Sequence, residues 1–139
     1  MKIMFKATGT APDYYHIDGE KITAYKNSKS ETYDLSVFPE GGQFQGVDPL
    51  VESQPIRHIE RVDGELSVIL CQNVIAGQYP GRRAHWRDSE WIDAVNYDSN
   101  TCYVNPTGMA GVEDYVIVQA DGIATGERGW TVRKDEKNG

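Results

Sequence analysis

The chain has 139 residues, of which 39% are hydrophobic, with 21 acidic against 14 basic side chains and a net charge of −7. A single domain of this size can bury a core without disulfide staples, and its acidic balance repels phosphates at long range, which argues against general nucleic-acid binding. No apolar run approaches the ~20 residues needed to cross a bilayer, so neither nucleic acid nor membrane is an expected partner.

At the N-terminus, Lys2 and Lys6 flank only Ile3-Met4-Phe5. A signal-peptide core needs ~7–15 apolar residues, so no secretion signal is read here. The strongest organising signal is Asp-Gly, at Asp18-Gly19, Asp63-Gly64 and Asp121-Gly122, each beside β-prone sequence. Asp-Gly favours the type I′ turn, whose two central residues need positive φ and whose twist suits a hairpin. The first predicted hairpin runs from Tyr14 through Asp18-Gly19 to Lys26, pairing Ile17 with Glu20 and Tyr15 with Ile22. Its buried face carries Tyr15, Ile17, Ile22 and Ala24, and its wetter face Tyr14, His16, Lys21 and Thr23. Glu31–Leu35 is a short strand, after which Pro39, Gly41-Gly42 and Pro49 break regular structure.

The second hairpin, Ile56 to Cys71 through Asp63-Gly64, pairs Ile59 with Val68 and His58 with Ile69. Ile59, Leu66, Val68 and Leu70 share one face, with Ile56, Ile69 and Cys71 opposite. Residues 88–95 are the best helix candidate, with Asp88 or Ser89 as cap and Trp91 and Val95 on one face. Tyr115–Val118 is a strand whose partner is either the segment just after Asp121-Gly122 or Trp130–Arg133. The expected architecture is therefore mainly β: several antiparallel hairpins forming a small sheet, sandwich or barrel with at most one short helix. Residues 1–133 make one domain, and 134–139 form a polar tail.

Three segments read together carry a resemblance. They are Tyr14 to Lys26, then Glu31-Thr-Tyr-Asp-Leu-Ser-Val-Phe-Pro-Glu-Gly41, then Glu60-Arg-Val-Asp-Gly-Glu-Leu-Ser-Val-Ile-Leu70. Their order resembles small proteins encoded in the tail-gene region of Mu-like phages and prophages, over about the first half of the chain. The resemblance implies a phage-related accessory or structural protein that acts by protein–protein binding in the tail or its assembly. Its partners would be other phage structural or assembly proteins or a second copy of itself, in the host bacterial cytoplasm or the virion. It transfers no catalytic residue.

Motifs for chemistry are sparse. Neither a dinucleotide fingerprint nor a phosphate-binding loop nor a nucleophile elbow occurs, so no cofactor is expected. His16 with Asp18 and His58 with Glu60 are the only close ligand-type spacings, short of the three or four converging donors a metal needs. Cys71 and Cys102 lack CxxC spacing and could reach a histidine only through the fold. The cluster Arg82, Arg83, His85, Trp86 and Arg87, followed by Trp91, concentrates residue types enriched at protein interfaces in an otherwise acidic chain. It is the expected protein-binding patch. The chain is read as non-enzymatic. The alternatives are a small β-domain that binds a carbohydrate or other ligand through aromatic side chains and, third, a Cys/His hydrolase.

Overall fold

Turn chemistry and alternation dominate the structure, a computed structural model that describes residues 1–8, 11–50, 53–74, 85–107, 115–121 and 128–134. The described strands are β1 (Lys2–Thr8), β2 (Tyr14–Asp18), β3 (Lys21–Lys26), β4 (Lys29–Asp34), β5 (Ile56–Val62), β6 (Glu65–Asn73), β7 (His85–Arg87), β8 (Ile92–Asp93), β9 (Asn105–Thr107), β10 (Tyr115–Asp121) and β11 (Arg128–Lys134). They group as a four-stranded sheet in the order β5-β6-β1-β8, a three-stranded sheet β2-β3-β4, and two strand pairs, β7-β9 and β10-β11. The fold is thus mainly β, built from antiparallel hairpins, and it does not close into a barrel.

The second hairpin has the register its sequence predicts, with Ile59 opposite Val68, His58 opposite Ile69 and Val62 opposite Glu65. Asp63 (φ 51°) and Gly64 (φ 81°) both take the left-handed conformation that a type I′ turn demands. Ile56 departs from expectation. A bulge between Ile56 and His58 sets Ile56 opposite Leu70 and turns it into the core. An extra residue in one strand re-aims the side chains beyond it, which alternation alone does not foresee.

The first hairpin closes one residue later than expected. Asp18 pairs with Lys21, so the turn residues are Gly19 and Glu20, and Ile17 faces Ile22 while Tyr15 faces Ala24. Only Gly19 of the two has positive φ (59°), which fits a turn with glycine at its first central position. The pairing moves by two residues, an even number, so the faces survive: Tyr15, Ile22 and Ala24 are buried. Asn27 and Ser28, with φ 51° and 66°, make the turn into β4. Substituting valine at Gly19 or Gly64 is expected to cost at least ~1 kcal/mol, because a β-branched residue at positive φ is a steric outlier. Chemical denaturation of both variants checks this, and unchanged midpoints would remove the turn assignments.

Two further expectations need correction. Residues 88–95 are not an α-helix: Ile92–Asp93 form β8 on the edge of β1, and Ala94–Asn96 make a single 3-10 turn. Trp91 and Val95, expected on one helix face, are both exposed. Ser89 is drawn inward instead. Its hydroxyl accepts from the Phe5 amide at 2.8 Å, and its own amide donates to the Phe5 carbonyl at 2.9 Å, so β1 takes the groups a helix cap would have used. The third Asp-Gly is not a two-residue turn either. Asp121 pairs with Arg128, and β10 runs antiparallel to β11, so Trp130–Arg133 is the partner of the 115–118 strand. Gly122 lies outside the described residues.

The core lies between the large sheet and the three-stranded sheet. Ile3 and Phe5 from β1, Leu66, Val68 and Leu70 from β6, Ile59 from β5 and Ile22 and Ala24 from β3 form one buried cluster. β1 sits centrally, parallel to β6 from Lys2–Ser67 to Thr8–Asn73 and antiparallel to β8. Tyr15 ties the two sheets together: its buried hydroxyl donates to the Cys71 carbonyl at 2.6 Å and accepts from the Cys71 amide at 3.1 Å.

Candidate functional site

Two edges bound the three-stranded sheet, and β2 is one of them. With Asp18–Lys21 closing a two-residue turn, alternate pairs bond to β3, so the backbone groups of Tyr15 and Ile17 point away from it. The Tyr15 amide accordingly donates outward, to the Tyr97 hydroxyl at 3.1 Å. Tyr97 follows the 3-10 turn Ala94–Asn96, and this segment forms the opposite wall of a cleft of about 430 Å³. Tyr15, His16 and Ile17 line one side and Val95, Tyr97, Asp98 and Ser99 the other.

The walls are held by different forces. Phe5 sits beneath, its ring 5.7 Å from Tyr97 and 5.0 Å from Tyr103, both stacked, and 6.2 Å from the tilted ring of Tyr15. Asp98 fixes the far wall: its carboxylate accepts from the Asn100 amide at 2.9 Å and the Thr101 hydroxyl at 3.1 Å, a side-chain-closed turn. Gln72, buried on β6, then anchors the outgoing chain by donating to the Thr101 carbonyl and accepting from the amides of Tyr103 and Val104. Burial pushes the Tyr97 phenol up to about 12, so it stays neutral and able both to donate and to accept.

His16 belongs to this cleft and also to the outer face of the sheet. That face carries Tyr14 opposite Tyr25, His16 opposite Thr23, and Thr23 opposite Thr32. The Tyr14 and Tyr25 rings stack at 4.7 Å with Tyr14 still 38% exposed, and the two threonine hydroxyls bond at 2.9 Å. An aromatic platform, an imidazole and hydroxyl groups thus adjoin the cleft mouth. Among the described residues, no lysine or arginine lines the cleft.

The residues singled out from sequence lie elsewhere. Trp86 and Arg87 sit on β7 with His85. Arg87 is exposed, whereas Trp86 is half-buried and packs against the core, its indole N–H buried without a partner among the described residues. Trp91 is 48% exposed. Arg82 and Arg83 lie outside the described residues, as do the side-chain surroundings of His85. His58 bonds Glu60 on its own strand at 3.0 Å and meets the Phe44 ring edge-on. Among the described residues no three histidine, cysteine or acidic side chains converge as a metal would require.

Both cysteines are free. Cys71 Sγ accepts from Arg57 Nε at 3.1 Å and donates to the Gln54 carbonyl, while Cys102 Sγ donates to the Val104 carbonyl. Burial raises both thiols, Cys102 to about 12, which is the opposite of what a thiolate nucleophile needs. No helix among the described residues is long and apolar enough to cross a membrane. The class defined is a mainly β domain of small sheets, the largest mixed and the others antiparallel, with a cleft at the β2 edge. The chain matches no family model, no curated protein and no solved structure.

Proposed function

We propose that this chain is a non-catalytic β-domain that binds a carbohydrate in the cleft at the β2 edge. The observation that carries the reading is the lining itself: the Tyr97 phenol, the His16 imidazole, the Asp98 carboxylate, the Ser99 hydroxyl and the outward-facing backbone of Tyr15 and Ile17 around about 430 Å³. That volume falls in the ordinary range for small-ligand sites, which combine apolar walls with a few converging polar groups. Sugars suit such walls because one face of the ring is C–H-rich and stacks on an aromatic, while the hydroxyls exchange hydrogen bonds around the rim. The absence of lysine and arginine from the lining disfavours phosphate and carboxylate ligands, which those side chains recognise. Tyr14 and Tyr25, on the same side of the sheet as His16, extend the aromatic surface for a second sugar ring.

Binding to an array of neutral and acidic oligosaccharides tests the proposal. A subset of neutral glycans is expected to bind, with His16→Ala and Tyr14→Ala each weakening binding by about tenfold, near 1.4 kcal/mol. Both side chains project from the outer face of β2, so the melting temperature should hold within ~2 °C. A silent array, or full binding by both variants, rejects the proposal.

A further inference from the structure

β4 forms the other edge of the same sheet, and its backbone is arranged to accept another strand. Lys26 and Lys29 flank the two-residue turn Asn27–Ser28, so they form a bonded pair, and bonding to β3 recurs at Glu31 and Tyr33. The hydrogen bond from the Leu35 amide to the Glu20 carbonyl, at 2.8 Å, continues that alternation beyond the strand. The N–H and C=O groups of Ser30, Thr32 and Asp34 therefore point away from β3, and none of them bonds to backbone among the described residues. Exposed strand edges of this kind are usually shielded by a covering loop or by charge.

Here a loop stands back from the edge rather than against it. A groove of about 830 Å³ runs between Thr32–Leu35 on one side and Gln45–Asp48 on the other. Consecutive residues of β4 line it, so its wall is the strand's edge and not one of its faces. The Tyr33 hydroxyl bridges the two walls by donating to the Asp48 carbonyl at 2.5 Å. The charged side chains among the described lining residues are Asp34 and Asp48; Lys21, opposite Asp34 on β3, is not among them. Asp34 uses one carboxylate oxygen, Oδ1, for the amide and hydroxyl of Ser36, and among the described residues Oδ2 accepts no hydrogen bond and neither aspartate joins an ion pair.

We propose that this groove takes an extended peptide segment bearing lysine or arginine, which adds to β4 as a fourth strand. Main-chain bonds to Ser30 and Thr32 supply affinity, as in other strand-addition sites, and Asp34 and Asp48 select for basic side chains. This site is independent of the carbohydrate cleft, which lies on the opposite edge of the sheet.

The probe is a fluorescein-labelled synthetic peptide of about ten residues that alternates lysine with threonine, read by anisotropy and by amide shifts in the labelled protein. Binding is expected with the largest shifts at the Ser30 and Thr32 amides. Thr32→Pro removes the outward N–H without touching a bond to β3, a position where an edge strand tolerates proline, and should weaken binding at least ~10-fold. Thr32→Val, which keeps the N–H, should bind like wild type. Asp34→Asn combined with Asp48→Asn should weaken binding about fivefold and flatten its salt dependence. A peptide N-methylated at alternate residues should not bind the wild-type protein, which decides the matter if Thr32→Pro loses its fold. Failure of the lysine peptide to bind, equal binding of a glutamate–threonine counterpart, undiminished binding of the N-methylated peptide, or shifts confined to other strands would overturn the proposal.

Discussion

Replacing Phe5 with alanine is expected to remove about 3–5 kcal/mol of stability, the range for truncating a fully buried aromatic residue. Phe5 has no exposed surface, lies on the central strand, and is the ring on which Tyr15, Tyr97 and Tyr103 converge. The cavity cannot collapse easily. Its walls are tyrosines whose hydroxyls are already committed: Tyr15 to Cys71, Tyr97 to the Tyr15 amide, and Tyr103 to the Asp98 amide. At roughly 3–4 °C per kcal/mol for a chain of this length, the melting temperature should fall by about 9–20 °C. Phe5→Leu, which keeps most of the volume, should lose less than half as much. Calorimetry on the two variants checks the claim, and a loss below ~1 kcal/mol for the alanine would show a loosely packed site.

Arg61→Met should cost almost as much, about 3 kcal/mol, by a different mechanism. The methionine keeps the aliphatic stem, so the loss isolates the guanidinium. That group donates to the Phe38 carbonyl at 2.7 Å, the Gly64 carbonyl at 2.9 Å and the Leu35 carbonyl at 3.3 Å, and it forks onto both carboxylate oxygens of Glu20 at 3.1 and 3.2 Å. Its side chain is only 14% exposed, so the freed carbonyls and carboxylate would have few waters to replace it. Arg61→Lys should recover little, because one ammonium cannot span a planar fork with five donors. Urea unfolding of the three proteins distinguishes the cases. Equal stability of Arg61→Lys and wild type would mean that only the charge matters.

Arg61 also explains what the recurring motifs are for. Glu20 follows the first Asp-Gly, Leu35 and Phe38 lie in the Glu31–Gly41 segment, and Gly64 belongs to the second Asp-Gly, so one side chain joins all three stretches. Glu40 adds a second tie, its carboxylate accepting from the amides of Asp63 and Gly64 at 2.9 and 2.8 Å. Sequence order alone could single out these residues but not their convergence.

The Asp63-Gly64 hairpin was legible because turn and alternation agreed there, and the faces of the first hairpin were legible although its turn was not. Near Asp18-Gly19 two turns compete, and burial on a common face does not distinguish registers two residues apart. β1 carried a readable signal, since Ile3, Phe5 and Ala7 alternate with Lys2, Met4 and Lys6. The test for an uninterrupted signal-peptide core obscures it. Residues 88–95 misled because capping residues and an i,i+4 apolar pair are local features, and the ladder offered by β1 outweighed them. The edge cleft was beyond reach. Alternation puts His16 on the wetter face of its hairpin and spacing pairs it with Asp18, but its companion Tyr97 comes from a distant segment with nothing to mark it among eight tyrosines.

The placement of β1 has a consequence for the chain during its synthesis. β1 is made before the strands it pairs with: its parallel partner β6 begins only at Glu65 and its other neighbour, β8, at Ile92. The β2-β3-β4 sheet, complete within Tyr14–Asp34, needs only short loops to close and can form while the rest is still being made. β1 is thus made before its partners yet is among the last strands to find its place, and until then Ile3 and Phe5 are an unburied apolar pair on the nascent chain.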